Sequence, residues 1–399
     1  MNKLKTLRAF KGNLENKKVL VRVDFNVPLV KGKVGDESRI KDALPTITHL
    51  LKQKAKVILI SHMGRPNGKK NAELSLKPVA KKLQTHLKNK VNFIDDCRGK
   101  KVEKAIQKMK SGEILLLENC RFYAEEETND ISFAKEIAKL GDIFVHEAFS
   151  AAHRQHATTY GVAKLLPSYA GFKMAEEVTL LTKIMTKTKK PVTLIVGGAK
   201  IDTKIGLLKN FMKKADYFIV GGALANTFLA GKGFNVGDSL YEKDKITLAQ
   251  EIMLLAEKNS EEFLLPIDAI IADSIGPKVS TLDIPLEDIE GKMKILDIGK
   301  QSSKKFIQII EKSKTIIWNG PLGLTEFEPF QTGTKTIAKA ISKATKNGAL
   351  TVLGGGDTID ALNRFKIKFS NFSHVSTAGG AMLEFLEGKK LPGVEILKK

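Results

Sequence analysis

Short runs of apolar, mostly β-branched residues recur along this chain, with amphipathic stretches between them, and almost every run ends in Gly, Asn, Asp, His or Arg. A first series reads VLVRV (Val19–Val23), VILIS (Val57–Ser61), ILLLE (Ile114–Glu118) and DIFVHE (Asp142–Glu147). A second reads VTLIVGG (Val192–Gly198), YFIVGG (Tyr217–Gly222), TIIWNG (Thr315–Gly320) and LTVLGG (Leu350–Gly355). Strands that are apolar without alternation are buried on both faces, the condition of parallel sheets covered by helices. Helical period lies between them, as in Ile40–Leu51, Thr203–Met212 and Thr334–Ala344. Two such series in 399 residues predict an α/β chain of two parallel-sheet domains. The passage Pro167–Lys190 is the expected boundary: 1–167 forms one domain and 168–384 the other. Open parallel sheets bind ligands beyond the carboxyl ends of their strands. Two sites are therefore expected, one per domain.

Composition narrows the class. Hydrophobic content of 42% supports globular cores. Cys97 and Cys120 form no CxxC, which fits free thiols in a reducing, cytoplasmic setting. No apolar run approaches a membrane span, and the start MNKLKTLRAFKGN has no signal-peptide apolar region. The net charge of +22 is spread along the chain without a basic arm or interleaved aromatics, so specific nucleic-acid binding is not expected. The charge still raises the local concentration of anionic substrates.

Only eight of the 66 basic Lys and Arg residues are Arg, and five of them, Arg22, Arg39, Arg65, Arg121 and Arg154, fall in short motifs of the first half. A guanidinium grips phosphate or carboxylate as a planar fork, which an ammonium does not. The motifs VRVDFNVP, SHMGRP, ENCRF and EAFSAAHRQH bring Asp24, Asn26, His62, Arg65, Arg121, His153, Arg154 and His156 to strand ends, and Arg39 opens the first long helix. Such a set suits a phosphorylated carboxylic acid, with Asp24 accepting from a hydroxyl. His62 reads equally as a ligand contact or a turn residue. His153 and His156 lack the third ligand of a zinc site and read as structural histidines or anion contacts.

In the second half, GGAKIDTK sets Gly197, Gly198, Lys200 and Lys204 at a strand end leading into a helix, where an i, i+4 pair of lysines shares one face. GGGDT (Gly354–Thr358) and STAGGA (Ser376–Ala381) each open a helix, and glycines admit phosphate to backbone N–H groups and the helix N-terminus. Asp357 suits Mg²⁺, which takes carboxylate together with phosphate oxygens. WNGP supplies Asn319, and Glu326 follows. These features predict a nucleotide. Walker A, GxGxxG, HRD and GxSxG patterns are all missing, which disfavours the corresponding NTPases, dehydrogenases, protein kinases and hydrolases.

Taken in order, VRVDFNVP, SHMGRP, ENCRF, AHRQHA, GGAKIDTKIG, WNGPLG, GGGDT and HVSTAGGAMLEFLEG resemble the phosphoglycerate kinase family from about Val19 to Val394. The resemblance implies two Rossmann-like domains separated by a hinge cleft, with the last residues, about 385–399, packing back on the first domain. It implies 3-phosphoglycerate or 1,3-bisphosphoglycerate on the first domain, bound by Asp24, Phe25, Asn26, Arg39, His62, Met63, Gly64, Arg65, Arg121 and Arg154. It implies ADP or ATP with Mg²⁺ on the second, held by Lys200, Lys204, Gly221, Gly299, Asn319, Glu326, Gly355, Gly356, Asp357 and Thr358, with Asp357 on the metal. Arg39, Lys200, Lys204 and Gly379 become the catalytic set, and a monomer is the expected state. Both nucleophiles, a carboxylate and a terminal phosphate oxygen, are ionised at neutral pH, so no general base is needed. The chain departs from the family pattern where Ala223 and Ala378 replace glycines, where Glu147 replaces Asp, and where Ser150 and Glu125 replace Gly. Ala378 matters most, because a methyl there displaces an amide donor unless φ is negative. An inactive homologue is argued only by the two Gly-to-Ala changes.

Overall fold

The computed structural model describes residues 3–398. The chain forms two compact units: the first runs to Thr182 and takes back the segment from Lys390, and the second is Lys183–Lys389.

The first unit holds a six-stranded sheet of β1 (Lys18–Arg22), β2 (Lys56–Ile60), β3 (Val91–Ile94), β4 (Ile114–Leu117), β5 (Ile143–His146) and β6 (Ser168–Ala170). Its order is β3-β4-β2-β1-β5-β6, and every pairing is parallel. Successive residues of a strand face opposite sides. Val19, Val21, Val57 and Leu59 enter one core, while Leu20, Ile58, Ile60 and Phe144 enter the other. A two-sided core explains why these strands are apolar throughout.

The second unit repeats the plan with β7 (Val192–Val196), β8 (Tyr217–Val220), β9 (Glu262–Leu264), β13 (Thr315–Asn319), β14 (Leu350–Gly354) and β15 (His374–Ser376). The order is β9-β8-β7-β13-β14-β15, again all parallel. A separate antiparallel sheet, which the sequence reading does not anticipate, is made of β10 (Asp268–Ala272), β11 (Leu282–Pro285) and β12 (Lys294–Ile298). In each parallel sheet the strand order reverses at a central pair, β1 beside β5 and β7 beside β13, with earlier strands on one side and later ones on the other. That pair is the topological switch point, where helices diverge and leave a crevice.

The domain limits differ from 1–167 and 168–384. Ser168–Ala170 is the sixth strand of the first sheet, paired to β5, so the first unit continues past Pro167. The next helix, Phe172–Thr186, is anchored there by bonds from Phe172 N to Thr46 Oγ1 (2.8 Å) and from Lys173 N to Glu147 Oε1 (3.1 Å). The division falls inside that helix. At the other end, helix Gly379–Leu386 stays with the second unit, where Asn210 Nδ2 donates to the Leu386 carbonyl. The returning tail begins at Lys390 and is held by Gly393 N to Ala152 O (2.8 Å) and Lys5 N to Leu397 O (2.8 Å).

Candidate active site

Beyond β1 the chain reads Asp24-Phe25-Asn26. Phe25 is a fully buried plug whose N–H donates to Ser61 Oγ at 2.9 Å, leaving Asp24 and Asn26 part-exposed on either side of it. Helix Ser38–Lys52 delivers Arg39, whose Nη1 lies 2.8 Å from Asp24 Oδ2 and 3.1 Å from the Asn26 carbonyl. Ser150 donates to that same Asp24 oxygen. Asn26 Oδ1 accepts from Gly64 N at 2.8 Å, and Arg121 Nη1 donates to the Gly64 carbonyl at 2.8 Å. Met63 is buried, and its backbone is already bonded, so its part, like that of Phe25, is to shape the turn. Arg154 Nε donates to His153 Nε2 at 3.2 Å. Arg65 is exposed and makes no ion pair among the described residues.

Arg22 corrects the expectation of five available forks. It is fully buried, with Nε on Thr158 Oγ1 (2.8 Å), Nη1 on the Val23 carbonyl (2.6 Å) and Nη2 3.1 Å from His62 Nδ1. A guanidinium only donates, so His62 Nδ1 accepts and the ring proton sits on Nε2. Burial, then Arg22, Arg121, Arg39 and Arg154, hold His62 well below its ordinary pKa. The ring is therefore a neutral donor placed among cations. His156 is pushed down to about 3 by burial and by Arg121, Arg22 and Arg154. No group of three His, Cys, Asp or Glu able to hold a metal occurs among the described residues.

In the second unit a cavity of about 590 Å³ opens beside β12 and the turn after β13, a volume typical of small-molecule sites. Leu240, Ile275, Pro321, Leu322, Leu324 and Ile298 give it apolar walls. Its polar side chains are Asn226, Asp238, Ser239, Tyr241, Lys243, Lys294, Asp297, Glu326 and Asp357. Asp297 is nearly fully buried and accepts from Ile298 N and Gly333 N, and burial pushes its carboxyl up to about 8. The sequence reading missed Asp297, Asn226 and Tyr241. Asp297 sits in LDIG, two residues before the expected Gly299, the one signal that pointed near it.

Glu326 and Asp357 line this cavity, while Gly221 and Gly299 are next in the chain to the lining residues Gly222 and Ile298. Both are glycine for packing reasons: a Cβ on Gly221 would meet Leu322, and one on Gly299 would meet the Asp268 carboxylate that caps the following helix. Lys200 and Lys204 do not share a helix face. That helix spans Ile205–Phe211, and both lysines lie on the preceding turn, which is bent at Gly198 (φ +107°) and tied by Thr203 Oγ1 to the Lys200 carbonyl (3.0 Å). Lys204 donates to Asn319 Oδ1, and Asn319 Nδ2 donates to the Gly354 carbonyl at 2.8 Å, so the turn after β7 and the ends of β13 and β14 are linked through one amide. Burial lowers the Lys204 pKa, opposed by Asp357 and Glu387.

Gly355 (φ +100°) precedes helix Gly356–Arg364, and a Cβ on Gly356 would point into open space. Thr358 is buried, and its hydroxyl accepts from Gly320 N at 2.7 Å, tying that helix to the WNGP turn. Gly379 (φ +34°) opens helix Gly379–Leu386. Its neighbour Ala378 has φ −89°, an ordinary value for an L-residue, and Ala223 lies inside helix Gly222–Gly231.

The family model for phosphoglycerate kinase matches residues 9–389. Similar proteins include the phosphoglycerate kinases of Dictyoglomus turgidum (46% identical, covering 97% of this chain and 96% of the relative) and Chloroflexus aurantiacus (45%, 100% and 99%). Phosphoglycerate kinase from Coxiella burnetii is similar in structure, with a TM-score of 0.89 at 40% identity over 99% of each chain. The fold and these likenesses define a kinase, a phosphotransferase with a carboxyl group as acceptor. The chain belongs to the phosphoglycerate kinase family. Its reaction is the reversible phosphoryl transfer between 1,3-bisphosphoglycerate with ADP and 3-phosphoglycerate with ATP, a step of glycolysis.

Proposed function

We propose that the cationic cluster of the first unit holds the phosphoglycerate and that the cavity of the second holds the nucleotide. One observation carries this reading. In both sheets the chemistry-bearing residues lie at the carboxyl ends of parallel strands: Asp24, Asn26, His62, Arg65, Arg121 and Arg154 beyond β1, β2, β4 and β5, and Lys200, Lys204, Asn319 and Asp357 beyond or at the ends of β7, β13 and β14. Asp24 and the neutral Nε2–H of His62 meet hydroxyl and carboxylate groups, while Arg39, Arg121, Arg154 and Arg65 balance phosphate charge. The apolar walls take the base, and Glu326 takes the ribose.

Lys204 and Lys200, with the N–H groups at Gly355, Gly356 and Thr358 and the entry at Gly379, stabilise the charge that spreads over the transferring group. Arg39 meets the same group from the acceptor side. Magnesium bound with the nucleotide would supply charge neutralisation at its phosphate oxygens. Asp357 fits that ion, since Mg²⁺ takes one or two carboxylates plus phosphate oxygens, and Asp357 is exposed beside an open glycine turn. No group of the chain removes a proton, because the attacking oxygen is already ionised. Transfer requires the two half-sites to meet with water excluded, and helix Phe172–Thr186, which carries the unit boundary, is where we place the hinge. One chain supplies both half-sites, which supports a monomer, and the free, buried Cys97 and Cys120 support a cytoplasmic setting. The test is direct. The purified chain with ATP, Mg²⁺ and 3-phosphoglycerate, coupled to product removal, releases ADP; release no greater than with ATP alone overturns the reading.

A further inference from the structure

The turn that carries His62, Met63, Gly64 and Arg65 leaves β2 and enters a loop without regular structure until residue 72. Loop backbone keeps a fixed course only where its N–H and C=O groups find rigid partners. Here the partner is the residue pair that follows β4, Glu118 and Asn119. Asn119 is fully buried, and its amide is used at every valence. Oδ1 accepts from Met63 N (3.2 Å) and Arg121 N (3.1 Å). Nδ2 donates to the carbonyls of Met63 (2.7 Å) and Leu74 (3.0 Å). The neighbouring Glu118 closes the far end of the same loop, accepting from Ser75 Oγ (2.7 Å) and Leu76 N (2.9 Å).

We propose that Asn119 is a positioning residue for the phosphoglycerate site: one buried amide sets the His62–Arg65 turn and the backbone of Arg121 together, before substrate arrives. The inference rests on reading the cationic cluster as that site. The geometry makes the effect specific. Met63 stands between His62 and Gly64, and both of its backbone polar groups end on Asn119. Gly64 is in turn gripped by Asn26 Oδ1 and by Arg121 Nη1. A displacement of Met63 therefore passes to His62, Asn26 and Arg121 at once. Asn119 contributes no charge and is not itself placed on the substrate. An aspartate of the same shape keeps the acceptor and loses both donors, setting a carboxylate against two carbonyl oxygens.

The test uses the full-length enzyme with MgATP and 3-phosphoglycerate. Asn119→Asp is expected to raise KM for 3-phosphoglycerate at least about tenfold, the scale of one buried group left unsatisfied. KM for ATP should stay within about twofold, because its site lies on other elements. Amide hydrogen exchange should quicken at 62–65 and stay unchanged in β1. Asn119→Ser, smaller and uncharged, should fold even where the aspartate variant does not, and should shift the same KM in the same direction. A lowered thermal midpoint with an unchanged KM for 3-phosphoglycerate reduces Asn119 to a structural role and overturns the proposal. Arg154→Ala separates the two layers of the argument. If it binds 3-phosphoglycerate normally, the site reading itself falls; if it loses binding while both Asn119 variants keep theirs, only the positioning role falls.

Discussion

Asn319→Ala tests how the nucleotide side is built. Asn319 ends β13 fully buried, takes the Lys204 ammonium on Oδ1 and donates from Nδ2 to Gly354 O. Lys204 is buried enough for its pKa to be lowered, so it depends on fixed acceptors to stay charged and in place. Removing the amide deletes a hydrogen bond to a charged group, worth about 1.5–3 kcal/mol. At about 1.4 kcal/mol per decade, kcat should fall by about 10- to 100-fold. The Gly354 bond is neutral and serves the sheet edge, so its loss, about 1 kcal/mol, should appear in the thermal midpoint. The assay is the coupled reaction with ATP varied at saturating 3-phosphoglycerate. KM for ATP should move less than kcat, because Lys204 is assigned to the transferring group and not to the base. A double-mutant cycle gives the decisive number. If Asn319 acts through Lys204, then Asn319→Ala made on top of Lys204→Ala costs little more in kcat. Losses that multiply, or a single-variant kcat within about threefold of the parent, would refute the assignment.

Arg39→Ala should lower kcat by at least about 100-fold, the scale for losing a transition-state donor, in the same coupled assay; a change confined to KM rules out that role. Ala378→Gly should leave turnover within about twofold, because φ of −89° already suits alanine; a large fall would show that the methyl itself is used. Glu147→Gln probes pH dependence. Burial pushes the Glu147 carboxyl up to about 8 from 4.5, against bonds from Thr46, Lys173 and Met174. Between those values the folded chain holds a proton that the unfolded chain has released, so this group's contribution is full below about pH 4.5 and is lost as pH rises through 8. The loss amounts to a few kcal/mol at most. Urea unfolding at pH 5, 6.5 and 8 should show a steeper decline in the parent than in the glutamine variant, which keeps the decline due to Asp297, and equal slopes remove the claim.

The central strands were legible because burial on both faces demands an unbroken apolar run: all five residues of Val192–Val196 and of Thr315–Asn319 are buried. Edge strands carry no such demand. Glu262–Leu264, Ser168–Ala170 and His374–Ser376 are three residues each, and they form because a neighbour offers them a ladder. Leu282–Pro285 has three exposed residues and reads as loop. This blind spot reached the cavity, because β12 of the antiparallel sheet provides Leu296, Asp297 and Ile298, which wall it. Motif chemistry names residue types without saying which atoms are already engaged. Arg22 stands in the same motif as Asp24, yet its fork is satisfied internally by Thr158, Val23 and His62.

The two alanines in glycine-rich loops show what a loop of this kind requires. Gly198, Gly222 and Gly355 have φ of +107°, +65° and +100°, and glycine is kept at each of them. Gly221 has an extended φ, yet a Cβ there would overlap Leu322, so packing keeps it glycine for a different reason. Ala223 and Ala378 stand where φ is negative, one inside a helix and one just before it. A left-handed φ costs an L-residue about 1 kcal/mol or more, so it is the sign of φ and the space around Cβ that restrict these positions. Where neither restriction operates, a methyl leaves the direction of the amides unchanged. The Gly-to-Ala changes therefore supply no argument for an inactive enzyme, and the backbone of these loops is built to the same requirement as a loop written with glycine throughout.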